Sequence, residues 1–207
     1  MSRYSGIVER QETSQEVLSC LSAHVHAKMH QGSFTTIIHA GNSDYIRVLH
    51  LLITRLLIEK RRVNVFDYHR RIKTVYLQQL LNQQNVNISK IQQHLNLRVI
   101  LDENHALDEL VRLQRRTPSK RRPPAFFVVD PSGLFGRLRG GVKHTAEGLQ
   151  FQYDAAKIFA QKGYAVLVSD FGGRQFHRIE SVVPAQLQDS STLILQFLPQ
   201  RIILQST

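Results

Sequence analysis

At 207 residues and 42% hydrophobic composition, the chain has room for one well-buried α/β domain and is too short for two comfortable ones. Lys and Arg outnumber Asp and Glu by 27 to 16, giving a net charge of +11 and a pI near 10.2. Such a surplus favours a polyanionic partner, with solubility or docking of an acidic protein as the plainer reading. The single Cys20 excludes an internal disulfide framework and suits a reducing compartment. Met1 to Gln11 is polar and lacks the apolar core of a signal peptide. The longest apolar run, Val48 to Ile58, is interrupted by His50, Thr54 and Arg55, so no membrane span or membrane partner is expected. An intracellular, soluble protein follows, in the cytoplasm or nucleoid, or in the nucleus of a eukaryote.

In chain order, residues 1–11 read as a loose, flexible start and 12–207 as a single domain. Val17, Leu18, Leu21, Val25 and Met29 recur at helical spacing, predicting an amphipathic helix over 12–31 that Gly32-Ser33 ends. Phe34 to His39 is a buried strand. Asn42, Ser43 or Asp44 then caps a helix of about 45–59, and Lys60-Arg61-Arg62 closes it favourably for the dipole. Val63 to Phe66 is a second strand ending at Asp67, followed by a helix over 72–84 and a polar stretch from Asn82 to Asn87. Leu97 to Leu101 is a third strand, and 102–115 a helix. After a basic, Pro-containing loop (Arg115 to Pro124), Ala125 to Val129 forms a fourth strand ending at Asp130.

Residues 131–144 hold Gly133, Gly136, Gly140 and Gly141 and read as a loop, and 145–162 as a helix. Ala165 to Ser169 is a fifth strand ending at Asp170, and Gly172-Gly173 opens a second loop. Thr192 to Leu198 and Arg201 to Leu204, around Pro199-Gln200, read as a terminal antiparallel hairpin. Strand and helix alternate, and the strands are continuously apolar. The expected fold is therefore α/β: three layers, a mostly parallel central sheet with helices on both faces, and the hairpin at the C-terminus. Ligands on such sheets bind beyond the carboxyl ends of the strands.

The turn after the first of these strands, His39-Ala40-Gly41-Asn42-Ser43-Asp44, stands where a nucleotide-binding protein would carry its phosphate loop. That chemistry needs a Gly-rich cradle of backbone amides, a Lys for the phosphates and a Ser or Thr for Mg²⁺. Only Gly41 fits the cradle, no Lys follows, and Asp44 places negative charge where phosphate would sit.

The order of elements over residues 15–205 resembles the ATPase core of the RecA/RadA recombinase superfamily, or one of its paralogues. Phe126-Phe127-Val128-Val129-Asp130-Pro131-Ser132 is similar to the Walker B strand and its small-residue turn. Ala165 to Asp170 is similar to the next strand, which in the family ends in a polar sensor. The resemblance implies a RecA-like fold with a degenerate nucleotide site at Gly41, Asn42, Ser43, Asp44, His69 and Asp130. His69 stands where the family has an acid that activates water. Losing that acid removes water positioning, and losing the Lys removes charge stabilisation in the transition state. No catalytic residue, no ATPase activity and no cofactor are expected, although weak ATP and Mg²⁺ binding is left open.

The family's two DNA-facing loops are similar to Phe135–His144, with Arg137, Arg139, Lys143 and His144, and to Gly172–Arg178, with Arg174, Phe176, His177 and Arg178. Glycine lets a backbone approach a phosphate, arginine forks onto its oxygens, and aromatic rings stack on bases. The resemblance thus implies a non-catalytic accessory factor of homologous recombination or repair that grips DNA, single-stranded by the stacking argument, beside another RecA/RadA-family protein. Two alternatives stay open. One is a protein-interaction subunit of a recombinase-paralogue complex without DNA contact. The other is a Mg²⁺-dependent nuclease built on Asp67, Asp130 and Asp170, which all follow strands; turn and capping chemistry is the plainer role for these aspartates. Cys20, His24, His26 and His30 share helical spacings but lie on different faces of one helix, so no metal site is expected. Tyr45, Phe66 and Tyr68 read as packing residues.

Overall fold

A computed structural model describes residues 5–9, 14–41, 43–115, 122–131, 142–171, 187, 189–198 and 201–206, with backbone alone for 5–9, 90, 92, 103 and 142–147. The strands are β1 (Ser5–Glu9), β2 (Phe34–His39), β3 (Val63–Asp67), β4 (Leu95–Val99), β5 (Ala125–Val129), β6 (Ala165–Phe171), β7 (Leu193–Phe197) and β8 (Arg201–Ser206). The helices are α1 (Gln15–Lys28), α2 (Asp44–Ile58), α3 (Thr74–Gln83), α4 (Ile88–Ile91), α5 (Glu103–Gln114) and α6 (Val142–Gln161).

One sheet runs in the order β1-β8-β7-β2-β6-β5-β3-β4. From β7 to β4 every neighbouring pair is parallel, while β8 pairs antiparallel with both β7 and β1. The α/β class, the mostly parallel sheet and the C-terminal antiparallel pair are as the alternation of elements predicts. The period of two sorts each strand between two cores. Ile37, Val65, Phe127 and Leu167 face α1–α4, and Ile38, Phe66, Phe126 and Val168 face α5 and α6. Each such side chain contributes about 1.5–3 kcal/mol on burial. On the second face Phe126 meets Phe66 edge-on with centroids 5.1 Å apart, and Phe159 of α6 lies 4.8 Å from Phe126.

Two helix starts follow the capping rule, whereas at α2 the expected cap Ser43 makes no side-chain capping bond. Ser14 accepts from Val17 N–H at 3.3 Å to open α1, and Asp102 accepts from His105 N–H at 2.8 Å to open α5. α2 is buried nearly all round, because α1, α3 and the sheet all cover it; Tyr45, Val48, Leu49, Leu52, Ile53 and Leu56 are inaccessible. That inserts α2 deep into the layer and brings its first turn onto the carboxyl ends of β2, β5 and β6.

Three expectations are corrected. Residues 1–11 are not uniformly a loose start: Ser5–Glu9 pair with β8 in register Ser5↔Gln205 to Glu9↔Arg201. β8 would otherwise offer an unpaired edge, and Gly6-Ile7-Val8 is a run able to satisfy its amides. The third strand lies two residues earlier than predicted, at Leu95–Val99, because pairing with Val63–Asp67 fixes the register rather than local hydrophobicity. α6 begins at Val142, so Lys143 and His144 stand on its first turn and not in the preceding loop.

Candidate functional site

The order of strands reverses at β2: β3 is reached on one side of it, and β7 lies on the other. The connection after β2 enters the α1–α4 layer, while the one after β5 enters the α5–α6 layer. The crevice between them, at the carboxyl edge, is where ligands of open parallel sheets bind. Here it is filled by the chain's own side chains.

Asp130 stands at the centre, immediately after β5, with φ +57° and 2% exposure. Four donors reach it from four elements. Tyr45 of α2 donates its hydroxyl to Oδ2 at 2.6 Å, and His39 at the end of β2 lies 2.8 Å from Oδ1 through Nε2. Ser169 of β6 donates to Oδ1 at 3.1 Å, and Arg71, after β3, donates Nε–H to Oδ2 at 3.3 Å. The Gly41 amide donates to His39 Nδ1 at 3.1 Å. Nδ1 is therefore the acceptor and Nε2 carries the proton that faces Asp130. The imidazole also stacks on the Tyr45 ring, with centroids 3.6 Å apart and planes 4° from parallel.

Burial would push the Asp130 carboxyl up, but the His39 contact and the Tyr45 and Ser169 hydroxyls outweigh it and hold the group below the usual carboxylate range. Burial and the neighbouring Asp130 charge together raise the Tyr45 phenol, which stays protonated as a donor. Gly41, at φ +87°, makes the turn that aims its amide back at His39; a Cβ there would sit 3.4 Å from the Phe171 ring.

The other strand-end aspartates are committed as well. Asp67 accepts from the amides of His69 (3.1 Å), Arg71 (3.0 Å) and Ile72 (2.7 Å), closing the turn after β3. Asp170 accepts from the Tyr153 hydroxyl and from the Phe171 amide. The three aspartates do share one edge, yet each faces donors, and among the described residues no group of His, Cys, Asp and Glu could hold a metal ion. His26 lies 3.1 Å from Glu59, and His30 Nδ1 is 3.1 Å from the Gln31 carbonyl.

Of the nucleotide-site residues read from sequence, Gly41 and Asp130 meet in the cluster. Ser43 stands at the helix start without a side-chain capping bond, and Asp44 is buried in the first turn of α2. His69 belongs to the turn held by Asp67. Asn42 lies outside the described residues, as do Arg137, Arg139, Arg174, Phe176, His177 and Arg178; Lys143 and His144 are described by backbone alone. Reading residues in sequence missed His39, Tyr45, Arg71 and Ser169 as partners of Asp130. A polar His at the end of an apolar strand was the available signal; Tyr45 read as packing because its hydroxyl partner lies 85 positions away.

No helix among the described residues is long and apolar enough to cross a membrane. A comparison with known proteins finds that no protein-family model matches the chain and that no curated protein matches it.

Proposed function

We propose that the chain is a non-catalytic, DNA-binding protein of RecA/RadA-like descent, an accessory factor in homologous recombination or repair. The observation that carries the reading is the saturation of Asp130. A carboxylate that is to hold Mg²⁺ and nucleotide must present free lone pairs, whereas this one accepts from Tyr45, His39, Ser169 and Arg71 in a buried crevice. Opening the site to a triphosphate would strip a buried carboxylate of its donors. Efficient hydrolysis is not expected of such a site, with neither a phosphate Lys nor an acid at His69.

DNA as partner is supported by the net charge of +11 and by the register of β5 and β6. These neighbouring parallel strands end at the same edge, and each is followed by a Gly-containing stretch with two arginines: Arg137 and Arg139, then Arg174 and Arg178. An intracellular setting with access to DNA follows from this reading. Fluorescence anisotropy with labelled single- and double-stranded DNA, with and without ATP and Mg²⁺, tests it. Expected are salt-sensitive binding, indifference to nucleotide, preference for single strands, and loss when those four arginines become alanine. Robust ATP turnover, or binding untouched by the four substitutions, refutes it.

A second reading, as partner subunit of a recombinase-type complex, is favoured by one observation. β4 closes its side of the sheet with no further strand among the described residues, and Leu101, Leu107 and Val111 nearby are exposed. Absence of any DNA binding together with co-purification of a RecA/RadA-family protein would select it.

A further inference from the structure

Adjoining the Asp130 cluster through Arg71, the N-terminal turns of α1, α2 and α3 surround a cavity of about 440 Å³. Arg47, Arg71 and Lys73 line it, with His50, Tyr76 and Ile46 between them, and no acidic residue is among its lining. Arg71 is partly neutralised through Asp130. The side chains of Arg47 and Lys73 have no ion-pair partner among the described residues, whereas Arg98 and Arg112 on the next layer both pair with Glu109. α2 and α3 begin at the rim, at Ser43 and Lys73, and neither start is closed by a side-chain cap; Asp44 offsets the positive end of α2, whereas α3 has no acidic residue in its first turn and presents its positive dipole end there.

We infer that this cavity binds a phosphate-bearing anion. Three cations, Arg47 on α2 and Arg71 and Lys73 on the turn before α3, suit a ligand with several charged oxygens spread along its length, rather than one carboxylate held by a single fork. The half-buried Tyr76 ring and Ile46 supply an apolar side on which a sugar or base can lie. His50 cannot compete as an acceptor for the cations: its Nδ1–H donates to the Ile46 carbonyl at 2.7 Å and its Nε2 accepts the Lys73 amide at 2.9 Å. The inference goes beyond the DNA reading, since it uses only α1–α3 and holds whether or not the Gly-rich stretches touch DNA. A phosphate chain of this kind comes either from a free polyphosphate or from a nucleic-acid backbone.

The test compares the full chain with Arg47→Ala/Lys73→Ala and with Lys28→Ala/Lys60→Ala, a control that removes the same charge from exposed positions at the opposite ends of α1 and α2. Pyrophosphate at fixed ionic strength should raise the thermal midpoint of the wild type and the control, and not that of Arg47→Ala/Lys73→Ala. A labelled thymidine oligonucleotide should bind that variant about tenfold more weakly, with the salt slope reduced by about 0.7 per lost contact. A lost pyrophosphate shift with unchanged oligonucleotide binding supports the site and assigns it to free polyphosphate. A pyrophosphate shift without any oligonucleotide binding leaves the site standing while the DNA reading falls. No shift in wild type, an equal shift in all three proteins, or an equal shift with an oligo-glutamate peptide overturns the inference.

Discussion

Arg71 and Lys73 leave the same turn after β3 and both line the cavity, but only the charge of Arg71 is answered. Arg71 donates to the buried Asp130 carboxylate, inside a cluster where each charge has an answer. Lys73 lines an open cavity beside Arg47, where cations stand without carboxylates. In the first region the chain satisfies its own polar groups, so the crevice that a parallel sheet offers to ligands is spent on stability. In the second the chain leaves positive charge unanswered, which a structural role does not require. The difference teaches where to look for a ligand: not at the sheet's topological crevice, but in the cavity that adjoins it through Arg71.

The largest effect is expected from removing the centre of the closed region. Asp130→Ala leaves His39 Nε2–H, the Tyr45 and Ser169 hydroxyls and one Arg71 donor facing a void, three of them on buried residues. Taking one partner from a buried charged network costs about 3–5 kcal/mol. Chemical denaturation should report a loss of that size. Asp130→Asn keeps the side-chain shape and the tolerance for positive φ, and should fall between the two. A loss under about 1 kcal/mol for the alanine variant would mean that the cluster is not the closed unit described.

Tyr45→Phe is the next step down. It keeps the ring stacked on His39 and removes only the 2.6 Å bond to Oδ2. A hydrogen bond to a charged group contributes about 1.5–3 kcal/mol, so a destabilisation of about 2 kcal/mol is expected by the same measurement. A cycle with Asp130→Asn should be strongly non-additive, because the two changes share one contact. Additivity within about 0.5 kcal/mol would show the hydroxyl to be spent elsewhere.

How far this contrast could be read from residues alone depends on its range. The strands announced themselves because β2, β3, β5 and β6 are apolar on both faces, and the helices because their apolar residues recur at helical spacing, although the caps at Ser14 and Asp102 went unread. The absence of phosphate-loop residues was likewise local: one glycine, no lysine. The cluster that fills the crevice was not. His39, Tyr45, Arg71 and Ser169 come from four elements, and only the strand order β2-β6-β5-β3 brings them together. The cavity is non-local for the same reason, since Arg47 and Lys73 sit in ordinary amphipathic contexts and become neighbours through the contact of α2 with α3. β1 was illegible because its pairing depends on β8, nearly 200 residues away.

A smaller effect tests whether the Gly41 turn serves His39. Gly41→Ala forces a side chain onto φ +87°, and its Cβ contacts the Phe171 ring at 3.4 Å. Conformational strain alone predicts about 1–2 kcal/mol of destabilisation. If the Gly41 amide fixes the imidazole, the variant should also shift the ring resonances of His39 and its stacked partner Tyr45 in an NMR spectrum. Loss of stability without those shifts would reduce Gly41 to a turn residue.

The smallest effect is a pH dependence that separates the two regions by window. Asp130 is held below the ordinary carboxylate range, so its contribution is whole above about pH 4 and is lost only as acid protonates the folded form below that. His50, in the wall between α2 and α3, is displaced downward instead. Burial is the main cause; its contacts to Ile46 and Lys73 and the charge of Asp67 work against it, and the Lys73 charge adds to it. The unfolded chain therefore binds a proton near pH 6.5 that the folded chain refuses, because burial disfavours the charged imidazole. Stability should fall as pH drops below about 6.5, and the fall should be shallower in His50→Gln, which carries no charge at any pH. Thermal midpoints of the two proteins between pH 5 and 7.5 decide it. Parallel curves would mean that the wall of the cavity accommodates a charged imidazole, and with it that the start of α3 is held by something other than His50.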